Sequence, residues 1–163
     1  MVLLMLHPSL LYAGKIADLF STEVLGIRWR STKEQVAKAF PNGKSRKQFG
    51  IQTYTIPDGR PLFETRRNLD NNIQFVFNTE GRMKGVNIGF PSDTDGFKNL
   101  LNKLDTYFGK HQSDPNGKSA TVAEWPEDNG IKIVLADIGG AFGKVKVVLS
   151  IEYVELGNGV GPR

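Results

Sequence analysis

The sequence predicts an α+β fold: two helix-then-antiparallel-meander units sharing one sheet, with the helices packed on one face. Three observations predict it. Phe97, Leu100, Leu101, Leu104 and Phe108 have the i, i+3, i+4, i+7, i+11 spacing of an amphipathic helix. Segments with period-two apolar alternation follow that helix, and others follow an earlier helix signal near residue 32. Gly, Pro, Asn and Asp punctuate the alternating segments at short intervals, and no polar linker divides the chain.

The elements follow in order. A short helix is expected over residues 15–20. Ser31-Thr32-Lys33-Glu34 offers a capping box in which the Ser31 hydroxyl faces the Glu34 amide. It predicts a helix over 32–40 with Val36 and Phe40 on one face, ended by Pro41-Asn42-Gly43. Residues 49–56 (FGIQTYTI) alternate as a strand, and Pro57-Asp58-Gly59 is a turn. Residues 62–67 are a further strand. Residues 72–78 place Ile73, Phe75 and Phe77 on one face, and Asn78-Thr79-Glu80-Gly81 turns the chain into a strand over 82–90. The second unit opens on a cap cluster, Pro91-Ser92-Asp93-Thr94, and its helix stops at Gly109. Residues 111–119 read as loop, 121–125 and 131–135 as strands, and 144–154 as a long strand carrying Val145, Val147, Leu149, Ile151 and Tyr153 on one face.

The domain expected is therefore single, over 14–156, with unit one at 25–90 and unit two at 91–156, then a Gly-rich tail at 157–163. A chain of 163 residues is ordinary for one domain and buries about 70% of its unfolded surface. Hydrophobic residues at 39% and charged residues at 23% exclude a disordered chain. Ten Phe predict a core wedged with aromatics. The absence of cysteine excludes disulfides, thiolate nucleophiles, zinc–thiolate sites and a lipid-modified N-terminal Cys.

Residues 2–12, VLLMLHPSLLY, are too short to span a bilayer, which takes about 20 apolar residues. Leu11-Tyr12-Ala13 before Gly14 resembles a signal-peptidase site, although no Lys or Arg precedes the run and His7 and Pro8 interrupt it. Two readings stand: a leader over 1–13 that is removed on export, or an apolar segment packed on the domain. Export is the expectation, with a periplasmic or secreted product; a cytoplasmic one follows if the leader is no signal peptide. No other segment could cross a membrane.

The residues offer little chemistry. His111 lies in His111-Gln112-Ser113-Asp114, just past a helix end, where a histidine suits the helix dipole; triad groups must converge in space, not in one loop. Asp93-Thr94-Asp95-Gly96 lacks the distal Glu of a calcium loop and reads as a cap. Gly117-Lys118-Ser119, Gly139-Gly140 with Gly143, and the tail glycines lack the strand–loop–helix setting of a phosphate loop. Glu64, Glu80, Glu124, Glu127, Asp128 and Glu152 form no pair visible in sequence. No catalytic residue, metal ligand or cofactor is assigned.

Charge is the remaining signal. The net charge is +4, with 21 Lys and Arg against 17 Asp and Glu, which permits attraction to anionic surfaces. Arg28, Trp29, Arg30, Lys33, Lys44, Arg46 and Lys47 are the candidate partner-binding residues, with Arg60, Arg66, Arg67 and Phe49 as possible neighbours. The competing reading is a solvated helix face and loop.

The run from Leu25 to Gln35-Val36, ending at Phe40-Pro41, resembles the opening of small exported helix-plus-meander domains: the BamE/SmpA-type outer-membrane assembly lipoproteins and the β-lactamase-inhibitor-protein-like repeats. Thr32, Gln35 and Val36 match their Gly-x-Thr-x-x-Gln-Val helix start, and Arg30 stands at the Gly position. Trp125, Ile131-Lys132-Ile133 and Tyr153 resemble a second repeat. The resemblance implies an exported, non-catalytic binding or adaptor protein, envelope-associated, and it carries over no site residues. A protein or an anionic envelope component is the partner expected, and nucleic acid is not. The alternatives are a small hydrolase using His111 with a nearby carboxylate, or a binder of an anionic polymer through residues 28–47.

Overall fold

The structure is a computed structural model and describes residues 15–91, 96–113, 122–138 and 147–154. The leader, the Ser92–Asp95 cap, Gly117-Lys118-Ser119, the Gly139–Gly143 connection, Val145 and the tail lie outside the described residues.

Among the described residues the elements run α1 (Lys15–Phe20), β1 (Glu23–Val24), β2 (Ile27–Arg28), α2 (Lys33–Ala39), β3 (Lys44–Gln48), β4 (Ile51–Ile56), β5 (Ile73–Phe77), β6 (Met83–Phe90), α3 (Gly96–Phe108), β7 (Gln112–Ser113), β8 (Val122–Asp128), β9 (Ile131–Asp137) and β10 (Val147–Tyr153). The fold is mixed α and β. β1 and β2 form a small hairpin, and the other strands form one sheet in the order β3-β4-β5-β6-β10-β9-β8-β7. Seven of these strands are substantial; β7 is a two-residue edge. Every pairing is antiparallel.

Alternation builds the core. Ile73, Phe75 and Phe77 of β5, Val86, Ile88 and Phe90 of β6, Val147, Leu149 and Ile151 of β10, and Ile131, Ile133 and Leu135 of β9 are buried. Leu100, Leu104 and Phe108 of α3, Val36 of α2, and Ile16 and Phe20 of α1 join the same cluster. Phe108 is an aromatic hub, with Phe20, Phe63 and Trp125 centroids at 5.9, 5.6 and 5.5 Å.

Each helix ends against the polar tip of an aromatic side chain. The Trp29 indole donates to the Phe20 carbonyl, the Tyr54 hydroxyl to the Phe40 carbonyl and the Trp125 indole to the Gly109 carbonyl. Carbonyls at a helix C-terminus have no partner within the helix, so these bonds satisfy them while the rings fill the core.

Four expectations need correction. The capping box sits one residue later than expected: Thr32 is the N-cap, its hydroxyl accepts from Gln35 N, and the Gln35 side chain accepts from Thr32 N. Residues 49–56 are not one strand. Phe49-Gly50 is a tight turn with φ of 50° and 79°, and the polar run Lys44–Gln48 before it is β3. Residues 62–67 carry only a Leu62–Thr65 bridge. That segment is a loop whose Phe63 and Glu64 take positive φ, held from inside by Arg67. Finally, 111–119 is not loop throughout, because Gln112–Ser113 pairs with β8.

The Arg67 side chain is fully buried. It donates to the carbonyls of Gly89 at 2.7 Å and Arg60 at 3.1 Å, to that of Asn71, and to Asp58 Oδ1 at 3.4 Å, and its guanidinium lies over the Phe90 ring. Burial pulls its pKa down, and the Asp58 carboxylate opposes that shift.

Candidate functional site

The strand residues that alternate with the core point to the opposite side of the sheet. In register across it run Lys44, Thr55, Gln74, Asn87, Ser150, Val134, Glu124 and Gln112, one from each strand. Four of these are joined by side-chain hydrogen bonds. Ser150 Oγ donates to Asn87 Oδ1 at 2.8 Å, Asn87 Nδ2 to Gln74 Oε1 at 3.1 Å, and Gln74 Nε2 to Thr55 Oγ1 at 3.5 Å. The result is an uncharged polar ladder over β4, β5, β6 and β10. Hydrogen bonds of this kind fix the amide orientations and leave the second lone pair of each oxygen for a ligand.

This ladder lies on the floor of a trough of about 620 Å³, within the usual size range of ligand sites. Arg46, Phe49, Ile51 and Thr53 line it at the β3–β4 hairpin, and Ala136, Ile138 and Val148 at β9 and β10. In a flat sheet β3 and β9 would stand about 24 Å apart. Residues of both line one cavity, so the trough runs across six strands, β3, β4, β5, β6, β10 and β9.

Phe49 stands on the lip and is 93% exposed. Its φ of 50° is in the left-handed region, which costs a bulky residue about 1–2 kcal/mol. Leu25 takes the same position in the β1–β2 turn, at φ 53°, but packs against the core. Asn129 does so in the β8–β9 turn, at φ 50°, and asparagine suits that conformation. Packing therefore offsets the strain at Leu25 and residue type lowers it at Asn129. At Phe49 nothing among the described residues does either.

The expected basic surface is dispersed. Lys44 and Arg46 lie opposite Thr55 and Thr53, on the trough side, and Lys47 lies opposite Gln52, on the other side of the strand. Arg28 is exposed on the separate β1–β2 hairpin, and Arg30 is exposed at φ 67°. Lys33 sits at the start of α2, 3.8 Å from Glu34. Trp29 is a correction: it is 8% exposed, packs against Tyr153 and spends its indole N–H on Phe20, so it belongs to the core. Arg67 is likewise interior. The trough polar residues Thr55, Gln74, Asn87 and Ser150 escaped sequence reasoning. Uncharged amides and hydroxyls at outward strand positions are their signal, but the register that aligns them is set by pairings between distant segments.

His111 does meet a carboxylate. Its Nδ1 lies 2.9 and 3.0 Å from the two Asp105 oxygens, and its backbone N–H donates to Asp105 at 3.0 Å. The ring also packs edge-on against Trp125. Asp105 belongs to the last turns of α3, so one carboxylate clamps the chain just after the helix. Glu152 pairs with Lys84 at 2.9 Å and Glu124 with Lys132 at 3.7 Å. Among the described residues no cluster of three His, Asp or Glu could hold a metal, and no helix is long and apolar enough to cross a membrane.

No protein-family model, curated protein or solved structure matches the chain.

Proposed function

We propose that this chain is an exported, periplasmic binding or adaptor module without catalysis of its own, envelope-associated, that takes its partner in the trough of the sheet. One observation carries the reading: a strained, exposed Phe49 lines the same trough as a hydrogen-bonded row of neutral amides and hydroxyls. Strain unsupported by packing points to selection for something other than stability. Neutral polar groups beside apolar walls are the usual composition of a ligand site. The strand order supports reading the sheet as two units, α2 with β3–β6 and α3 with β7–β10, joined where β6 meets β10.

The test is photo-crosslinking in the native host, with a photoreactive side chain at Phe49 or, as a control, at the exposed α3 residue Lys98. Adducts at 49 and none at 98 are expected. Adducts at 98 alone, or none at either, would overturn the binding role. Mass spectrometry of the mature N-terminus in an envelope fraction tests export, and an uncleaved cytosolic chain would end it.

A second reading takes His111 as a general base oriented by Asp105, since their separation is within hydrogen-bond reach. A hydrolytic screen with p-nitrophenyl esters and glycosides tests it. Turnover lost in His111→Ala supports it, and turnover that survives the substitution or is absent from the start disposes of it.

A further inference from the structure

We propose that β3 is a docking edge that accepts an extended acidic peptide segment as an added strand. The inference concerns the edge of the sheet rather than the floor of the trough, and either can fail without the other.

The two edges of the sheet are unlike. Among the described residues β7 pairs with β8 over two residues, whereas β3 pairs with β4 over five with no register shift. All five residues of β3 are exposed. The turn Phe49-Gly50 closes the hairpin with two residues, so Gln48 and Ile51 form a hydrogen-bonded pair. By alternation Ser45 and Lys47 turn their N–H and C=O away from β4. An outer row of backbone donors and acceptors thus stands ready for another strand.

Charge selects the strand. β3 reads Lys44-Ser45-Arg46-Lys47-Gln48. The ion pairs of the described residues engage Lys33, Arg60, Arg67, Lys84, Lys110, Lys132 and His111, and none reaches Lys44, Arg46 or Lys47. Cations on an edge repel a second copy of the same edge, which protects against self-association. The same cations favour a strand with Asp or Glu at alternate positions, two of which would face Lys44 and Arg46 from the trough side. Protection alone does not account for the hairpin tip. Phe49 is 93% and Ile51 52% exposed, and apolar groups at a bare edge invite association rather than prevent it. Charges that turn away self and an apolar tip that seeks contact together describe an edge for an acidic strand with an apolar residue near one end.

The test is fluorescence anisotropy of the full chain with a labelled decapeptide of alternating Glu and Val. Three comparisons accompany it: the same peptide N-methylated at alternate residues, dextran sulfate as competitor, and the Lys44→Glu/Arg46→Glu protein. Saturable binding is expected, with affinity falling at least about tenfold on N-methylation and on the double substitution. The Ser45 and Lys47 amides should gain protection from hydrogen exchange. No saturable binding, or equal affinity for the N-methylated peptide, would overturn the proposal. So would displacement by dextran sulfate with no protection at Ser45 and Lys47, because that pattern is attraction between charges without a strand. The N-methyl comparison uses unaltered protein and stands even if the double variant folds poorly.

Discussion

The Tyr54 hydroxyl donates to the Phe40 carbonyl at 2.7 Å while accepting from the Gly43 N–H at 3.1 Å. One phenol thereby holds both sides of the turn that ends α2 and leads into β3. A Cβ on Gly43 would lie 2.2 Å from the Tyr54 ring, so the close approach requires glycine. Tyr54→Phe removes both bonds and should cost about 1–3 kcal/mol. Urea unfolding should show a lower midpoint at unchanged slope. An unchanged midpoint would show that water replaces the phenol without loss.

Phe49→Asn should stabilise the protein by about 1 kcal/mol, since asparagine tolerates the left-handed turn that phenylalanine resists. The same substitution should weaken partner capture. A thermal melt reads the first effect, and crosslinking with the photoreactive side chain moved to Gln48, which is exposed and lines the same trough, reads the second. A variant that is less stable would mean that Phe49 packs in solution.

Arg67→Ala should be among the most damaging single substitutions, at about 3 kcal/mol or more, because it strips charged donors from three carbonyls and a cation from Asp58. Arg67→Lys should recover only part of the loss, since an ammonium cannot span the same fork of acceptors. Equal stability of the two variants would argue against the fork.

Asn87→Ala should cost less than about 1 kcal/mol, because its amide is only half-buried, yet it breaks the middle of the ladder between Gln74 and Ser150. Crosslinking from position 49 should fall sharply. Retention of full crosslinking would remove the ladder from the site.

The Glu34 carboxyl is held below its ordinary value of 4.5, first by its own backbone N–H at the start of α2, then by the Thr32 hydroxyl and, less strongly, Lys33. A depressed folded-state value means stability that is present above pH 4.5 and lost as pH falls through the folded value. Glu34→Gln should flatten the melting temperature against pH in that acidic window and leave the Gln35–Thr32 cap intact. An unchanged profile would assign the acid response elsewhere.

Elements with a strong apolar period were legible in the sequence. α3, β5, β6, β9 and β10 lie where periodicity places them, because burial of one face is what their sequences encode. β3 was not legible, since KSRKQ has no apolar residue and becomes a strand only by pairing with β4. Phe49 misled in the opposite sense: an aromatic beside an alternating run reads as part of the strand, while Gly50 makes it a turn. The segment 62–67 failed because Arg67, a charged residue, supplies its internal anchor. As for the site, the sequence named Arg46, Lys44 and Phe49 but grouped them with Trp29 and Arg28, which tertiary packing sends to the core and to another hairpin. The ladder required knowledge of register between segments far apart in the chain.

The central pairing of the sheet joins β6, residues 83–90, to β10, residues 147–153. β10 is also the strand that β9 pairs with on its other side. During synthesis β6 and β9 therefore emerge with bare inner edges, and the strand that closes both arrives after them. Loop-closure entropy slows a pairing of that separation. A chain that has emerged only as far as residue 146 holds two sticky half-sheets rather than one closed sheet, so its dependence on chaperones should concentrate in that interval of emergence, from the ribosome or across the membrane.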